Sequence, residues 1–239
     1  MSQLSQPHQP QPDKLPRLNK YLALQLGVSR READDLIAGG KVYINGAPGE
    51  LWQRVEQGDE VTVNDQPLQS STVDYVYLAL HKPVGYVSSR RQQGESPTIY
   101  SLLPQQYHSL KPVGRLDRDS SGLLLLTNDG DFAHSMTHPK FYKTKRYEIE
   151  LDHPLEPLHQ QMISDFGVQL PDGPSKFSVT KLDGPSEGYE VVMHEGRNRQ
   201  IRRTFDALGY VVVGLHRTNF GNYALGTLKP GHWQIIQKT

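Results

Sequence analysis

Apolar residues first recur at helical spacing at Leu18, Tyr21, Leu22 and Leu26, which predicts a helix that Gly27 closes. Ser29 followed three residues later by Glu32 forms a capping box, and it predicts a second helix to about Ala38, where Gly39 and Gly40 stop it. Val42 and Ile44 then alternate as a short strand, Asn45-Gly46 is a tight-turn signal, and Glu60–Val63 reads as a further β segment. These elements define a small unit over residues 15–66. Residues 1–14, dominated by Gln, Pro and Ser, read as a disordered tail, and the polar stretch 67–74 reads as a linker.

Beyond the linker, strand-like runs appear at Tyr75–Leu80, Gly122–Thr127, Tyr147–Leu151, Tyr189–Met193, Val211–Leu215 and Trp233–Ile236. Helical patterns fall at about Asp131–Thr137, Leu155–Phe166 and Asn198–Leu208. There are too few helices to pair one with each strand. This disfavours a doubly wound parallel sheet and predicts an α+β fold, with a mixed or antiparallel sheet flanked by helices over residues 75–239.

Composition narrows the function classes. The 239 residues include no cysteine, which excludes a disulfide framework, a thiolate zinc site, an iron–sulfur cluster and a cysteine nucleophile, and points to a reducing cytoplasm. Lys plus Arg and Asp plus Glu number 26 each, so the net charge is zero and only local patterning can argue for a nucleic-acid partner. No apolar run approaches the length of a membrane span, and the first residues lack the basic start and apolar middle of a signal peptide. The expectation is a protein neither secreted nor inserted in a membrane.

In the small unit, Arg17, Lys20, Arg30, Arg31 and Lys41 cluster around helix starts and ends, where they suit phosphate oxygens. The plainer alternative is solvated charge balanced by Glu32, Asp34 and Asp35. The segment RLNKYLALQLGVSRREADDLIAGGKVYING resembles the small RNA-binding domain named after ribosomal protein S-four. That resemblance implies structured RNA as partner, recognised through backbone and shape.

The densest chemistry is GRLDRDSSGLLLLTNDG, Gly114 to Gly130. If the four leucines form a buried strand, Asp117 and Asp119 lie at its mouth, and Arg115 beside them favours an ionised carboxylate suited to nucleophilic or electrostatic work. The residues alone leave other readings open. They are a loop with capping aspartates, a two-carboxylate glycosidase, and a magnesium site of Asp117, Asp119, Asp129 and Asp131. Tyr147 alternates with Ile149 and could be ordinary core. Arg197, Arg199, Arg202 and Arg203 could be a solvated basic helix, but their spacing around Gly196 also suits phosphates and one buried carboxylate, with Arg202 off the solvent face. His134 and His138 have metal-ligand spacing, but without a third ligand no metal is assigned.

The motif GRLD-x-D-[ST]-x-G followed by a hydrophobic run and Thr-Asn resembles the signature of the RsuA-type ribosomal pseudouridine synthases. HKPVGYVSS at His81–Ser89, KRYEIEL at Lys145–Leu151 and EGRNRQIRRTF at Glu195–Phe205 follow in the family's order. The resemblance implies that Asp117 is the catalytic aspartate, that Tyr147 packs near the target base and takes part in proton transfer, and that Arg202 pairs with the catalytic carboxylate. It implies that Arg115 helps hold the displaced nucleotide. His81 departs from the Asn usual before Lys-Pro, which puts a hydrogen bond at that strand end in question.

The reaction so implied is an isomerisation that needs no cofactor, acting on a flipped-out uridine of ribosomal RNA or a precursor subunit. Arg197, Arg199, Arg203 and the small unit would contact phosphates. The run Asn198–Arg203 is more similar to large-subunit members, which favours 23S over 16S RNA. A tRNA synthase and a catalytically silent ribosome-assembly protein are the rival readings, and a monomer is expected.

Overall fold

The computed structural model describes residues 15–68, 74–90, 94–184 and 188–239, and its contacts divide the chain into two compact units, 1–74 and 75–239. The expected tail at 1–14 and most of the expected linker lie outside the described residues.

In the first unit, α1 (Leu18–Leu26) ends at Gly27, whose φ of 69° is the left-handed conformation glycine adopts without steric cost. Helix α2 (Arg30–Ala38) starts at the capping box, with Ser29 Oγ accepting from the Glu32 N–H at 3.1 Å and the Glu32 carboxylate accepting from the Ser29 N–H at 2.6 Å. Strands β1 (Val42–Ile44), β2 (Ala47–Pro48), β3 (Val61–Val63) and β4 (Gln66–Pro67) form an antiparallel sheet in the order β2-β1-β3-β4. Leu18, Leu22, Ala33, Ile37, Val42 and Val61 fill the core beneath it. The boundary with the linker needs correcting, because Gln66–Pro67 pairs with β3 and the Leu68 N–H donates to the Val61 carbonyl at 2.7 Å. Asn64 and Asp65, at φ 51° and 61°, make the tight turn into this short hairpin, a signal hidden in a polar stretch.

The second unit is built on a nine-stranded sheet. It contains β5 (Tyr77–Lys82), β6 (Lys111–Val113), β7 (Ser121–Thr127), β8 (Lys145–Leu151), β11 (Ser178–Lys181), β12 (Gly188–Met193), β13 (Val212–Phe220), β14 (Tyr223–Ala224) and β15 (Trp233–Ile235). The main order is β11-β12-β8-β13-β7-β5-β15, with β14 on β13 and β6 on β7. The β13–β7 pair is parallel and the other pairs of this sheet are antiparallel, so the sheet is mixed, as the sparse helices predict. A separate hairpin, β9 (Val168–Leu170) with β10 (Gly173–Ser175), was not signalled by the sequence pattern.

The leucine run shows how the sheet is held. Leu124 and Leu126 enter one core with Leu78, Leu80, Ile99 and Phe205, whereas Leu123 and Leu125 enter the other with Tyr77, Phe132 and Phe220. Alternation in a strand covered on both faces gives a continuous apolar run. Helix α3 (Gly130–Thr137) packs on the second core, and α5 (Gln200–Asp206) packs on the first through Ile201 and Phe205. The helical pattern over 155–166 resolves into α4 (Pro157–Gln161) continued by a π-helical turn, Met162–Phe166. Strands β6 and β7 leave the segment 114–120 between them, and that segment carries the carboxylates.

Candidate active site

Segment 114–120 is fixed by neighbouring loops. Gly114 turns it at φ 72°, and buried Ser88 brackets Leu116, its hydroxyl donating to the Leu116 carbonyl at 2.8 Å and accepting from the Leu116 N–H at 3.2 Å. The Gly85 N–H donates to the Arg118 carbonyl at 2.7 Å, and Lys82 Nζ donates to the Ser120 carbonyl at 2.6 Å. Asp117 is thereby held between two anchored residues, with its side chain 37% exposed.

It opens on a cavity of about 370 Å³, near the small end of the range for small-ligand sites. Tyr147, Met193, Ile201, Leu215 and Phe220 supply apolar wall, and Arg115, Lys145, Arg199, Arg202 and Arg217 supply positive charge. Tyr147 is 7% exposed on the inward face of β8, and its hydroxyl has no hydrogen-bond partner among the described residues. A phenol at the wall of a cavity is free to meet a ligand.

The arginines divide their work differently from the expectation. Arg199 makes a two-pronged pair with Asp119, Nη1 and Nη2 each 3.0 Å from a carboxylate oxygen, and its Nη1 lies 3.6 Å from Asp117 Oδ2. It does so from a left-handed backbone, φ 47° and ψ 32°, an unusual conformation for a side-chain-bearing residue. The Arg199 hydrogen bonds hold the Asp119 carboxyl below its usual range, against the effect of burial and with help from the Arg202 charge. Arg202 is the least exposed of the four basic-segment arginines, as expected, but it reaches the Asp119 carbonyl at 2.9 Å and the Asp119 carboxylate at 3.4 Å. The pairing expected between Arg202 and Asp117 is therefore replaced by one with Asp119, and Arg199 takes the place beside Asp117. Arg202 Nη1 is also held by the Val212 carbonyl at 2.5 Å, which fixes its reach.

Arg197 and Arg203 face away from an open phosphate role. Both pair with Asp172 in the turn between β9 and β10, at 3.0 and 2.8 Å, and Arg197 also donates to the Gly173 and Pro174 carbonyls. Their donors tie that hairpin to the start of α5. Arg115 is exposed on the cavity rim without an ion pair among the described residues, so the cation expected beside Asp117 is Arg199 instead. In the small unit Arg17, Arg30, Arg31 and Lys41 are exposed and Lys20 is half-buried.

The magnesium reading fails on geometry. Asp129 is buried and caps α3, accepting from the Asp131 and Phe132 N–H groups at 3.0 Å through Oδ1, while Oδ2 accepts from Tyr77 at 2.7 Å and Lys238 at 2.8 Å. Among the described residues no group of three or more His, Asp or Glu could hold a metal, and His134 instead makes a tilted ring contact with His138 and an edge-on one with Phe141. His81 restores a bond at its strand end by donating Nδ1–H to the Leu228 carbonyl at 2.7 Å.

Sequence reasoning missed three buried cations, Lys145 and Arg217 on the cavity wall and Lys82 behind the Asp117 segment. Lys82, Lys145 and Arg217 are 0%, 8% and 2% exposed. Burial pulls the Lys82 and Lys145 ammonium groups each down to about 8, with Arg217 adding repulsion. Lys145 had a legible signal, since it lies in phase with Tyr147, Ile149 and Leu151 on the buried face of KRYEIEL. Lys82 and Arg217 end or interrupt strands and carry no such mark.

Comparison with known proteins decides what this site belongs to. The model of the RNA pseudouridylate synthase family matches residues 76–207, and the S4 domain model matches residues 16–67. An RNA pseudouridine synthase of Aquifex aeolicus is 36% identical over 92% of each chain. The chain belongs to the RNA pseudouridylate synthase family. The ribosomal large subunit pseudouridine synthase B of Bacillus subtilis is 35% identical over 90% of this chain and 89% of its own. The dual-specificity RNA pseudouridine synthase RluF of Escherichia coli is 36% identical over 94% of this chain and 77% of its own. A crystal structure of a pseudouridylate synthase superposes with a TM-score of 0.66 at 31% identity, covering 92% and 96% of the two chains.

Pseudouridine synthases are isomerases, and the cavity suits such chemistry. A carboxylate, a phenol and cations lining one cavity can confine a detached base and manage its charge and protons. Among the described residues no helix is long and apolar enough to cross a membrane.

Proposed function

We propose that this pseudouridine synthase converts a specific uridine of ribosomal RNA to pseudouridine, with 23S RNA as its target. The observation that carries the reading is Asp117, held at the mouth of a cavity whose wall presents the free hydroxyl of Tyr147. The large-subunit preference is supported by the Asn-Arg-Gln-Ile-Arg-Arg run at 198–203 and by the similarity to the ribosomal large subunit pseudouridine synthase B of Bacillus subtilis.

The target nucleotide leaves its stack, at a cost of a few kcal/mol, and enters the cavity. Asp117 acts on the sugar in one of two ways: it attacks C1′ as N1 departs, the resulting ester being displaced when C5 joins C1′, or it takes the C2′ proton as N1 departs and returns it to C2′ when C5 joins C1′. The C1′–N1 bond breaks, the base turns, C5 joins C1′, the C5 proton is lost and N1 gains one, with Tyr147 beside the base to assist proton movement. No electrons enter or leave, so no cofactor is required. Arg199 and Arg202 position the segment that bears Asp117 by gripping Asp119 from α5 and the residue before it. Arg115 and Arg199 on the cavity side, and Arg17, Lys20, Arg30, Arg31 and Lys41 in the S4 domain, meet RNA phosphates. The enzyme acts as a cytoplasmic monomer.

The test is chemical mapping of pseudouridine across 16S and 23S transcripts and precursor subunits after incubation with the wild type and with Asp117→Ala. A 23S site made by the wild type alone supports the reading in full. A 16S site redirects the target, and RNA binding without any new site supports an assembly role instead.

A further inference from the structure

Lys145 is a buried cation without an ion pair. It is 8% exposed, and no carboxylate lies within ion-pair distance of its ammonium among the described residues. An ammonium carries three N–H donors. Two are directed at the His194 and Glu195 carbonyls, at 3.3 and 3.2 Å, and the Phe220 ring lies 5.3 Å from Nζ. The third has no acceptor among the described residues, and Lys145 lines the same cavity as Tyr147 and Asp117.

Strand geometry makes the placement firm. Lys145 and Tyr147 are two apart on the buried face of β8, and their partners across the antiparallel pair with β13 are Phe220 and Arg217. Arg217 is itself sealed, with Nε donating to the Leu123 carbonyl at 2.8 Å, Nη2 unpartnered among the described residues and the guanidinium 4.9 Å from the Phe220 ring. Two positive charges thus share the wall beside the tyrosine with no carboxylate in ion-pair contact with either among the described residues, and the more distant Glu195 only partly offsets the burial of Lys145. Burying charge in this way opposes stability unless an anionic guest arrives.

The guest's chemistry supplies that charge. When C1′–N1 breaks, its electron pair leaves with N1 and spreads to the two carbonyl oxygens of the uracil ring. We propose that Lys145 is a catalytic residue that donates a hydrogen bond to a uracil carbonyl oxygen and stabilises the negative charge on the detached base. Lys145 keeps its proton throughout. The inference rests on the uridine-isomerising reading above.

Lys145→Met and Lys145→Arg test it, with kcat/KM, single-turnover rate, RNA Kd and thermal midpoint measured for each. Lys145→Met should slow the single turnover roughly 10²–10³-fold, the usual loss on removing one preorganised donor, while RNA Kd stays within about threefold of the wild type. The pH profile of kcat/KM supplies a second readout, since it reports groups of the free enzyme. The charged or titratable groups facing Lys145 are Arg217 from β13 and His194 and Glu195 after β12, with Asp117 and Arg115 across the cavity. Wild-type kcat/KM should decline above about pH 8, where Lys145 loses its proton. Lys145→Arg, charged throughout, should show no such decline.

A Lys145→Met rate within about threefold of the wild type, or a loss matched by weaker RNA binding or unfolding, overturns the proposal. So does an alkaline decline that persists in Lys145→Arg, which would assign it to Lys82. If Lys145→Met does not fold, the profile of Lys145→Arg decides alone. A wild type that forms no pseudouridine overturns the uridine reading itself, so the two failures are told apart.

Discussion

Gly122 on β7 lies so close to Arg217 on β13 that a Cβ at Gly122 would stand 2.2 Å from the Arg217 carbonyl oxygen and 2.5 Å from its nitrogen. The two residues are direct partners in the parallel pair, and Arg217 is at the same time the antiparallel partner of Tyr147. The junction that sets the wall of the active site therefore depends on a missing side chain. Its backbone also adopts a φ of 108°, which side-chain-bearing residues avoid.

Gly122→Ala is accordingly expected to cost about 3 kcal/mol or more, since both contacting atoms are backbone and cannot swing aside. Urea unfolding at neutral pH measures this. A variant as stable as the wild type would show that the two strands can part without consequence.

Arg199 predicts a separation of activity from stability. Its pair with Asp119 is partly exposed on both sides, and such pairs contribute about 1 kcal/mol or less. Its position between Asp119 and Asp117 makes it important for the reacting geometry, where a misplacement near 1 Å costs about a hundredfold in rate. Arg199→Met should therefore lower the single-turnover rate by roughly 10- to 100-fold while the urea midpoint moves little. Equal losses in both would mean that Arg199 acts only as a structural tie.

Asp129 predicts the acid limb of stability. Burial raises its pKa, but the Lys238 and Phe132 hydrogen bonds and that of Tyr77 outweigh it, and the carboxyl ends below its usual range. A carboxyl depressed in the folded state stabilises fully above its unfolded value near 3.9, and that gain is lost as pH falls through the lower folded value. Asp129→Asn retains the cap oxygen facing Asp131 and Phe132 but replaces the acceptor shared by Tyr77 and Lys238. The expected cost is about 2–3 kcal/mol at neutral pH, with a shallower decline in stability below about pH 4. Denaturant midpoints measured from pH 7 to acid would show the difference, and parallel curves for the two proteins would refute it.

Much of this protein is local and was legible for that reason. The capping box at Ser29 and Glu32, the glycine stop at Gly27 and the Asn45-Gly46 turn act within a few residues, so their spacing carries the structure. The mixed sheet followed from strands outnumbering helices. The segment with Asp117, the strand with Tyr147 and the burial of Arg202 were equally visible, because each lies inside a motif contiguous along the chain. The Gln66–Pro67 hairpin escaped notice because polar turns and polar linkers have similar compositions.

Partnership was decided in three dimensions. Arg199 and Arg202 meet Asp119 across some 80 positions of sequence, and Asp172 takes up Arg197 and Arg203 from a hairpin that no periodicity announced. Nothing in the order of residues tells which of four neighbouring arginines will face which carboxylate. That choice is made by the left-handed turn at Arg199 and the direction of α5. The buried cations follow the same logic: a lysine in phase with apolar residues can be read from β8, but the absence of a counter-charge exists only once β13 is laid beside it.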